Sequence, residues 1–213
     1  MIEALLFDMD GTLVDSEPLH LEALRRQLVL HGRDVDLDAF HKSVVGRSNL
    51  EVAALLFPDD DTARHEALVL QKEGIYWDLA RTLTAAPGLV DFLDLAHRRG
   101  WPVALVTNAR RENAEHTLGI LGLRDRFDVL VAADDVARVK PDPLPYLAAL
   151  EALSADPGTA LAFEDSLPGI RSATGAGIRT IGLSTGLNEA DLLAAGAVRV
   201  IADFRNLAFL GDF

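Results

Sequence analysis

The chain has 213 residues, 49% of them hydrophobic and 25% charged. That excludes a disordered chain, which would lack the apolar area to offset the entropy of ordering. Twenty Lys and Arg against 33 Asp and Glu give a formal net charge of −13, which argues against nucleic acid and anionic membranes as partners. The absence of cysteine removes disulfides, thiolate catalysis and Cys-ligated zinc or iron–sulfur sites. The opening residues MIEALLFDMD carry no basic run, and no apolar stretch is long enough to span a membrane. The expectation is a soluble cytoplasmic protein of one domain, or of one domain with an insert.

Short apolar runs at Ala4–Phe7, Val103–Val106, Val129–Ala132, Leu161–Phe163, Thr180–Leu183 and Val198–Ile201 predict buried strands. Between them, amphipathic stretches predict helices at Leu89–Arg99, Glu112–Leu121, Pro145–Leu153, Leu167–Ala173 and Glu189–Ala194. Such alternation predicts βαβ units and a parallel sheet. The stretch from 16 to 82 breaks the rhythm, with helical patterns at Leu19–His31, Leu37–Val45, Leu50–Phe57 and Ala63–Leu79 and no strand. Turn-like residues flank it, Asp15–Ser16–Glu17–Pro18 on one side and Ala86–Pro87–Gly88 on the other. The predicted architecture is α/β: a doubly wound, Rossmann-like parallel-sheet core formed by 1–15 and 83–213, with an α-helical cap of 16–82 inserted after the first strand.

In doubly wound sheets the ligand site lies at the carboxyl ends of the strands. The first strand is followed by Asp8–Met9–Asp10–Gly11–Thr12. Strand alternation would separate the two carboxylates, but Gly11 permits a sharp turn that lets them converge. They read either as nucleophile or metal ligand plus general acid/base, or as an ordinary turn. Thr107–Asn108 follows the second strand and reads as an oxyanion holder or a helix N-cap. Lys140, between Val139 and Pro141, reads as a counter-charge for phosphate or carboxylates, or as a solvated side chain. Glu164–Asp165–Ser166 reads as a hard-cation site or as a capping segment. Together these segments bring four acids, a lysine and a hydroxyl/amide pair to one end of the sheet. Like charges so close require a cation. A nucleophile, a metal, positive charge and a proton donor are what phosphoryl transfer requires.

These residues resemble the haloacid dehalogenase superfamily. Asp8–Met9–Asp10–Gly11–Thr12–Leu13–Val14 is similar to its first motif, Thr107–Asn108 to the second, Lys140–Pro141 to the third and Glu164–Asp165–Ser166 to the fourth. The helical insert resembles the small cap of the β-phosphoglucomutase-like branch. The resemblance implies that Asp8 forms an aspartyl-phosphate, and that Asp10 protonates the leaving alcohol and then activates water. Thr107 and Lys140 would hold the phosphoryl group, with Asn108 beside them. Asp8, Asp10 through its backbone carbonyl, Glu164 and Asp165 would bind Mg²⁺. In the cap, Val44–Val45–Gly46–Arg47–Ser48 resembles the loop that reaches over the site. It makes Gly46 and Arg47 substrate-binding candidates, along with His20 and Glu17. The second acid, Asp10, argues against dehalogenation. Val45 in place of a lysine, and Thr12 in place of valine, favour a phosphatase over a phosphomutase. The expected substrate is a small phosphorylated metabolite, a sugar phosphate or similar, and the expected state is a monomer. The alternatives are a β-phosphoglucomutase-type mutase and a non-catalytic phosphate-ligand sensor.

Other motifs lead elsewhere and are set aside. Gly182–Leu183–Ser184–Thr185–Gly186 fits G-x-S-x-G, but a hydrolase elbow of that kind needs a later His, and the last His is His116. Gly175–Ala176–Gly177 precedes a strand rather than following one, which argues against a dinucleotide fingerprint. The six histidines include no i, i+4 pair, which argues against zinc.

Overall fold

The computed structural model describes residues 2–33 and 49–212. It divides into two compact units, Met1–Asp15 with Leu83–Phe213, and Ser16–Thr82.

The larger unit is built on six parallel strands: β1 (Ala4–Phe7), β2 (Val103–Val106), β3 (Val129–Val131), β4 (Ala160–Glu164), β5 (Arg179–Leu183) and β6 (Arg199–Ile201). Their order across the sheet is β3-β2-β1-β4-β5-β6. β1 is central, with Leu5 opposite Val103 on one side and opposite Leu161 on the other. Every residue of β1, β2 and β4 is buried, as expected where helices cover both faces of a parallel sheet. Alternation sorts the side chains. Leu5, Phe7, Val103, Leu105, Leu161 and Phe163 share one apolar cluster, and Ala4, Leu6, Ala104, Val106, Ala160 and Ala162 share the other. On the first face Phe7 stacks on Phe163 at 4.8 Å between ring centroids and meets Phe92 edge-on at 5.8 Å. On the second face the small alanines admit close helix packing, and Tyr146, Ala149 and Leu150 fill that space.

The helices of this unit are α4 (Leu89–Arg99), α5 (Arg111–Leu121), α6 (Leu144–Leu153), α7 (Leu167–Gly175) and α8 (Glu189–Ala195). Several boundaries differ from the sequence expectation. β3 ends at Val131, because the Ala132 N–H turns to the Asp135 carboxylate and the chain enters a 3₁₀ turn. β4 runs through Glu164, so this acid is the last strand residue rather than the first loop residue.

The smaller unit contains α1 (Glu17–Leu30), α2 (Asn49–Leu56) and α3 (Thr62–Ala80). Glu17 and Pro18, expected in a turn, form the first turn of α1, where a proline costs no helical hydrogen bond. The acidic run 59–61 lies between α2 and α3, and its last member caps α3: the Asp61 carboxylate accepts from the Arg64 N–H at 2.8 Å. Leu24, Leu28, Val52, Ala53, Phe57 and Leu68 form the unit's core. The helical pattern at Leu37–Val45 lies outside the described residues. Among the described residues no helix is long and apolar enough to cross a membrane.

Candidate active site

Asp8 is the first residue beyond β1, and its N–H continues the ladder to the Phe163 carbonyl at 3.0 Å. The turn that follows closes on itself. The Met9 carbonyl accepts from the N–H groups of Thr12 and Leu13, and the Gly11 N–H donates to the Val14 carbonyl at 2.7 Å. Gly11 has φ +78°, and a Cβ there would land on the Asp165 carboxylate. Only glycine allows both this backbone and this approach. The turn thereby carries the half-buried Asp10 to the same sheet end as Asp8 and Asp165.

Lys140 lies in the segment between β3 and α6, and only 5% of it is exposed. Its ammonium donates to Asp8 Oδ1 at 2.7 Å, Glu164 Oε1 at 2.6 Å and the Val106 carbonyl at 2.7 Å. All three N–H bonds are thus directed by groups from three neighbouring strands. The Tyr146 hydroxyl donates to the same Glu164 oxygen at 2.7 Å, and the Ser166 hydroxyl donates to the other at 3.3 Å.

Three acids therefore surround one cation. Burial pushes Asp8 up to about 8, and Glu164 and Asp10 add to the rise against the pull of Lys140. Asp165 is held well above the usual carboxylate range by burial, then by Asp8 and Glu164. Burial also opposes the charge on Lys140, but Asp8 and Glu164 overcome it and hold the ammonium above its ordinary value. Asp8, Glu164 and Asp165 each present a carboxylate oxygen, all within 4.8 Å of one another. An all-oxygen donor set short of positive charge suits a hard divalent cation.

This imbalance has a consequence for stability. Folding raises Asp8 from 3.8 to about 8, so between those values the folded state binds more protons than the unfolded one, and stability falls as pH rises. Thermal unfolding in chelator is expected to show a lower midpoint at pH 8 than at pH 6. Divalent cation should raise the midpoint more at pH 8. A hundredfold excess over Kd would give about 2.7 kcal/mol, or roughly 5–10 °C.

Glu164 also depends on a close approach. A Cβ at Gly169, in the first turn of α7, would land on the Glu164 carboxylate. Gly169→Ala should therefore destabilise by roughly 1–3 kcal/mol, the usual cost of overpacking. This contrasts with the gain of about 1 kcal/mol that alanine brings at an open helical site. Gly119, in α5, where an added Cβ would meet nothing within 4 Å beyond its own helix, is the matched control. Urea midpoints of the two variants should move in opposite directions.

Of the residues singled out in the sequence, Asp8, Lys140, Glu164 and Asp165 come together here. Thr107 is buried beside them at the end of β2, and its hydroxyl oxygen accepts from the Ala109 N–H at 3.0 Å. Asn108, expected beside the substrate, meets the backbone of Lys140. Its amide donates to the Lys140 carbonyl at 3.2 Å and accepts from the Lys140 N–H at 3.0 Å, so it clamps the lysine's backbone. His20 and Glu17 belong to the smaller unit. His20 Nδ1 lies 2.9 Å from the Lys72 ammonium, and its ring stacks on Tyr76 at 4.0 Å. Lys72 also donates to Glu73 at 2.9 Å and to Asn49 at 3.2 Å. Glu17 is exposed. Arg47 and Gly46 lie outside the described residues.

Sequence reasoning missed Tyr146, Gly169 and the Lys72–Glu73 pair. Tyr146 lies six residues beyond Lys140, within a stretch whose apolar pattern already reads as a packing helix. Its hydroxyl gives no signal of its own.

The fold is a doubly wound α/β sheet whose strand order reverses between β1 and β4, and the buried cluster stands at that point. A family model described as a haloacid dehalogenase-like hydrolase matches residues 2–177, and the chain belongs to that family. It is 35% identical over 207 residues to a phosphorylated carbohydrates phosphatase of Thermotoga maritima, covering 94% of each chain. It is 37% identical over 201 residues to the validoxylamine A 7'-phosphate phosphatase of Streptomyces hygroscopicus subsp. limoneus, covering 91% of this chain and 93% of the relative. Among solved structures, a variant of CbbY from Rhodobacter sphaeroides in complex with xylulose-1,5-bisphosphate superposes with a TM-score of 0.82. The two chains are 32% identical, with 98% of this chain and 97% of the other covered.

Proposed function

We propose that the chain is a Mg²⁺-dependent phosphatase that hydrolyses a small phosphorylated metabolite, a sugar phosphate or similar, through an aspartyl-phosphate. The observation that carries this reading is the buried cluster of Asp8, Lys140, Glu164 and Asp165 at the end of β1 and β4. The relatives named for phosphatase activity support the reaction class.

In this mechanism an Asp8 carboxylate oxygen attacks phosphorus as the bond to the substrate's alcohol oxygen breaks. Asp10 gives its proton to that departing oxygen. A water then attacks the phosphorus of the acyl phosphate, Asp10 takes the water's proton, and the P–O bond to Asp8 breaks, releasing phosphate and restoring the carboxylate. Lys140 offsets the charge on Asp8 and on the transferring group, and Thr107 contributes a hydroxyl at the adjacent strand end. Asp8, Glu164 and Asp165, with the Asp10 carbonyl, would hold Mg²⁺, which when bound supplies the positive charge that the acids lack. The unit 1–15 with 83–213 carries the chemistry. The unit 16–82 acts as a cap that selects the substrate through Arg47, Gly46, His20 and Glu17.

The test is phosphate release from a panel of sugar and other small phosphomonoesters, with Mg²⁺ and with chelator. Mg²⁺-dependent release is the expected result. Conversion of β-glucose 1-phosphate to glucose 6-phosphate without phosphate release would overturn it in favour of a mutase.

A further inference from the structure

The segment Gly182–Gly186, whose G-x-S-x-G pattern has no triad to serve, sits beside the acid/base turn. β5 ends at Leu183. The next residue is anchored through its N–H to the Ile201 carbonyl at 3.0 Å. Thr185 then donates its hydroxyl to the Gly11 carbonyl at 2.8 Å, across 174 residues of sequence.

That carbonyl is a sensitive place. The peptide plane on the N-terminal side of Gly11, shared with Asp10, is held within the turn by the Gly11 N–H bond to Val14. The plane on the C-terminal side presents its carbonyl to Thr185. Gly11 itself imposes little restraint on either dihedral, because it has no Cβ. Its φ of +78° and its contact with the Asp165 carboxylate rule out a stiffer residue. The Thr12 N–H, on that same plane, bonds to the Met9 carbonyl at 3.2 Å within the turn, and Thr185 adds a second hold on the plane from outside it.

We propose that Thr185 is a positioning residue for Asp10: by pinning the Gly11 carbonyl it fixes the turn that aims the acid/base carboxylate. The proposal rests on the phosphatase reading, since it presupposes that Asp10 moves a proton.

The test compares Thr185→Val, which keeps the shape and removes the donor, with Thr185→Ser, which keeps the donor. Two readouts are needed. The first is kcat/KM on an alkyl phosphate and on a nitrophenyl phosphate, whose phenolate departs without a proton. Thr185→Val is expected to lose about tenfold on the alkyl ester, a small part of the 10²–10⁴ that general acid catalysis supplies, and less than about twofold on the nitrophenyl ester. Thr185→Ser should restore the alkyl ester rate. The second is hydrogen exchange at residues 9–14, expected to quicken in Thr185→Val and to return to the original rate in Thr185→Ser.

Equal losses on both esters, no loss on either, or unchanged exchange at 9–14 would overturn the role of Thr185. Absence of phosphate release from either ester by the unaltered chain would instead overturn the phosphatase reading, and with it the role of Asp10 that Thr185 is proposed to serve.

Discussion

Asp8→Asn is expected to abolish turnover and leave the protein at least as stable in chelator as the unaltered chain. The loss of activity should be on the order of 10⁴-fold or more, the scale seen when a covalent nucleophile is removed. Two properties of the site lead to the stability half of this statement. The carboxylate is buried in a cluster where acids outnumber the one lysine, and it is pushed up to about 8 as a result. An amide of the same shape can still accept from Lys140, now 2.7 Å away, and it carries no charge to bury at any pH. Thermal midpoints in chelator and in Mg²⁺ would check this together with phosphate release. The variant should gain less from Mg²⁺ than the unaltered chain does. Retained turnover would remove Asp8 from the mechanism.

Lys140→Met should act in the opposite direction on stability. The ammonium is the direct partner of both Asp8 and Glu164, and its removal leaves buried carboxylates without their counter-charge. Breaking a buried pair in this way costs about 3–5 kcal/mol. Activity should also fall by about 10²–10³-fold, because the charge developing on the transferring group loses its nearest cation. Adding Glu164→Gln to Lys140→Met separates the two effects. The second substitution removes one uncompensated charge, so the denaturant midpoint should recover in part while activity stays low. Recovery of activity with stability would mean that Lys140 serves only the fold.

The strands of the core were legible because each is a short apolar run bounded by turn residues. The acids at their ends stood out because Asp and Glu rarely follow a buried run without a reason. Asp8, Glu164 and Asp165 therefore announced themselves one by one, and parallel-sheet topology brought them together. What local pattern could not reveal was any interaction whose partner lies far along the chain. Tyr146 on Glu164, Thr185 on Gly11 and Asn108 on the Lys140 backbone all belong to this kind. Gly169 was hidden for a related reason: a glycine early in a helix looks merely permissive until the carboxylate facing it is known. In the smaller unit, His20 was noticed for its type, but its partner Lys72 lies 52 residues away on another helix. The end of β3 was misplaced by one residue because Ala132 suits a strand, and only the carboxylate of Asp135 draws its N–H away.

The central position of β1 also bears on how the chain is made. Its neighbours are β2, whose Val103 pairs with Leu5, and β4, whose Leu161 pairs with Leu5 from the other side. At about 5–20 residues per second, the ribosome needs roughly 5–20 s more after Leu5 to reach the first of these partners, and longer to reach the second. Throughout that interval ALLF is an apolar strand with two unsatisfied edges, a standing invitation to aggregation. The helices of 16–82 pack among themselves through contacts nearer in sequence, and local contacts form fast. The order of synthesis thus completes the helical unit's sequence while the strand that precedes it still waits for its sheet.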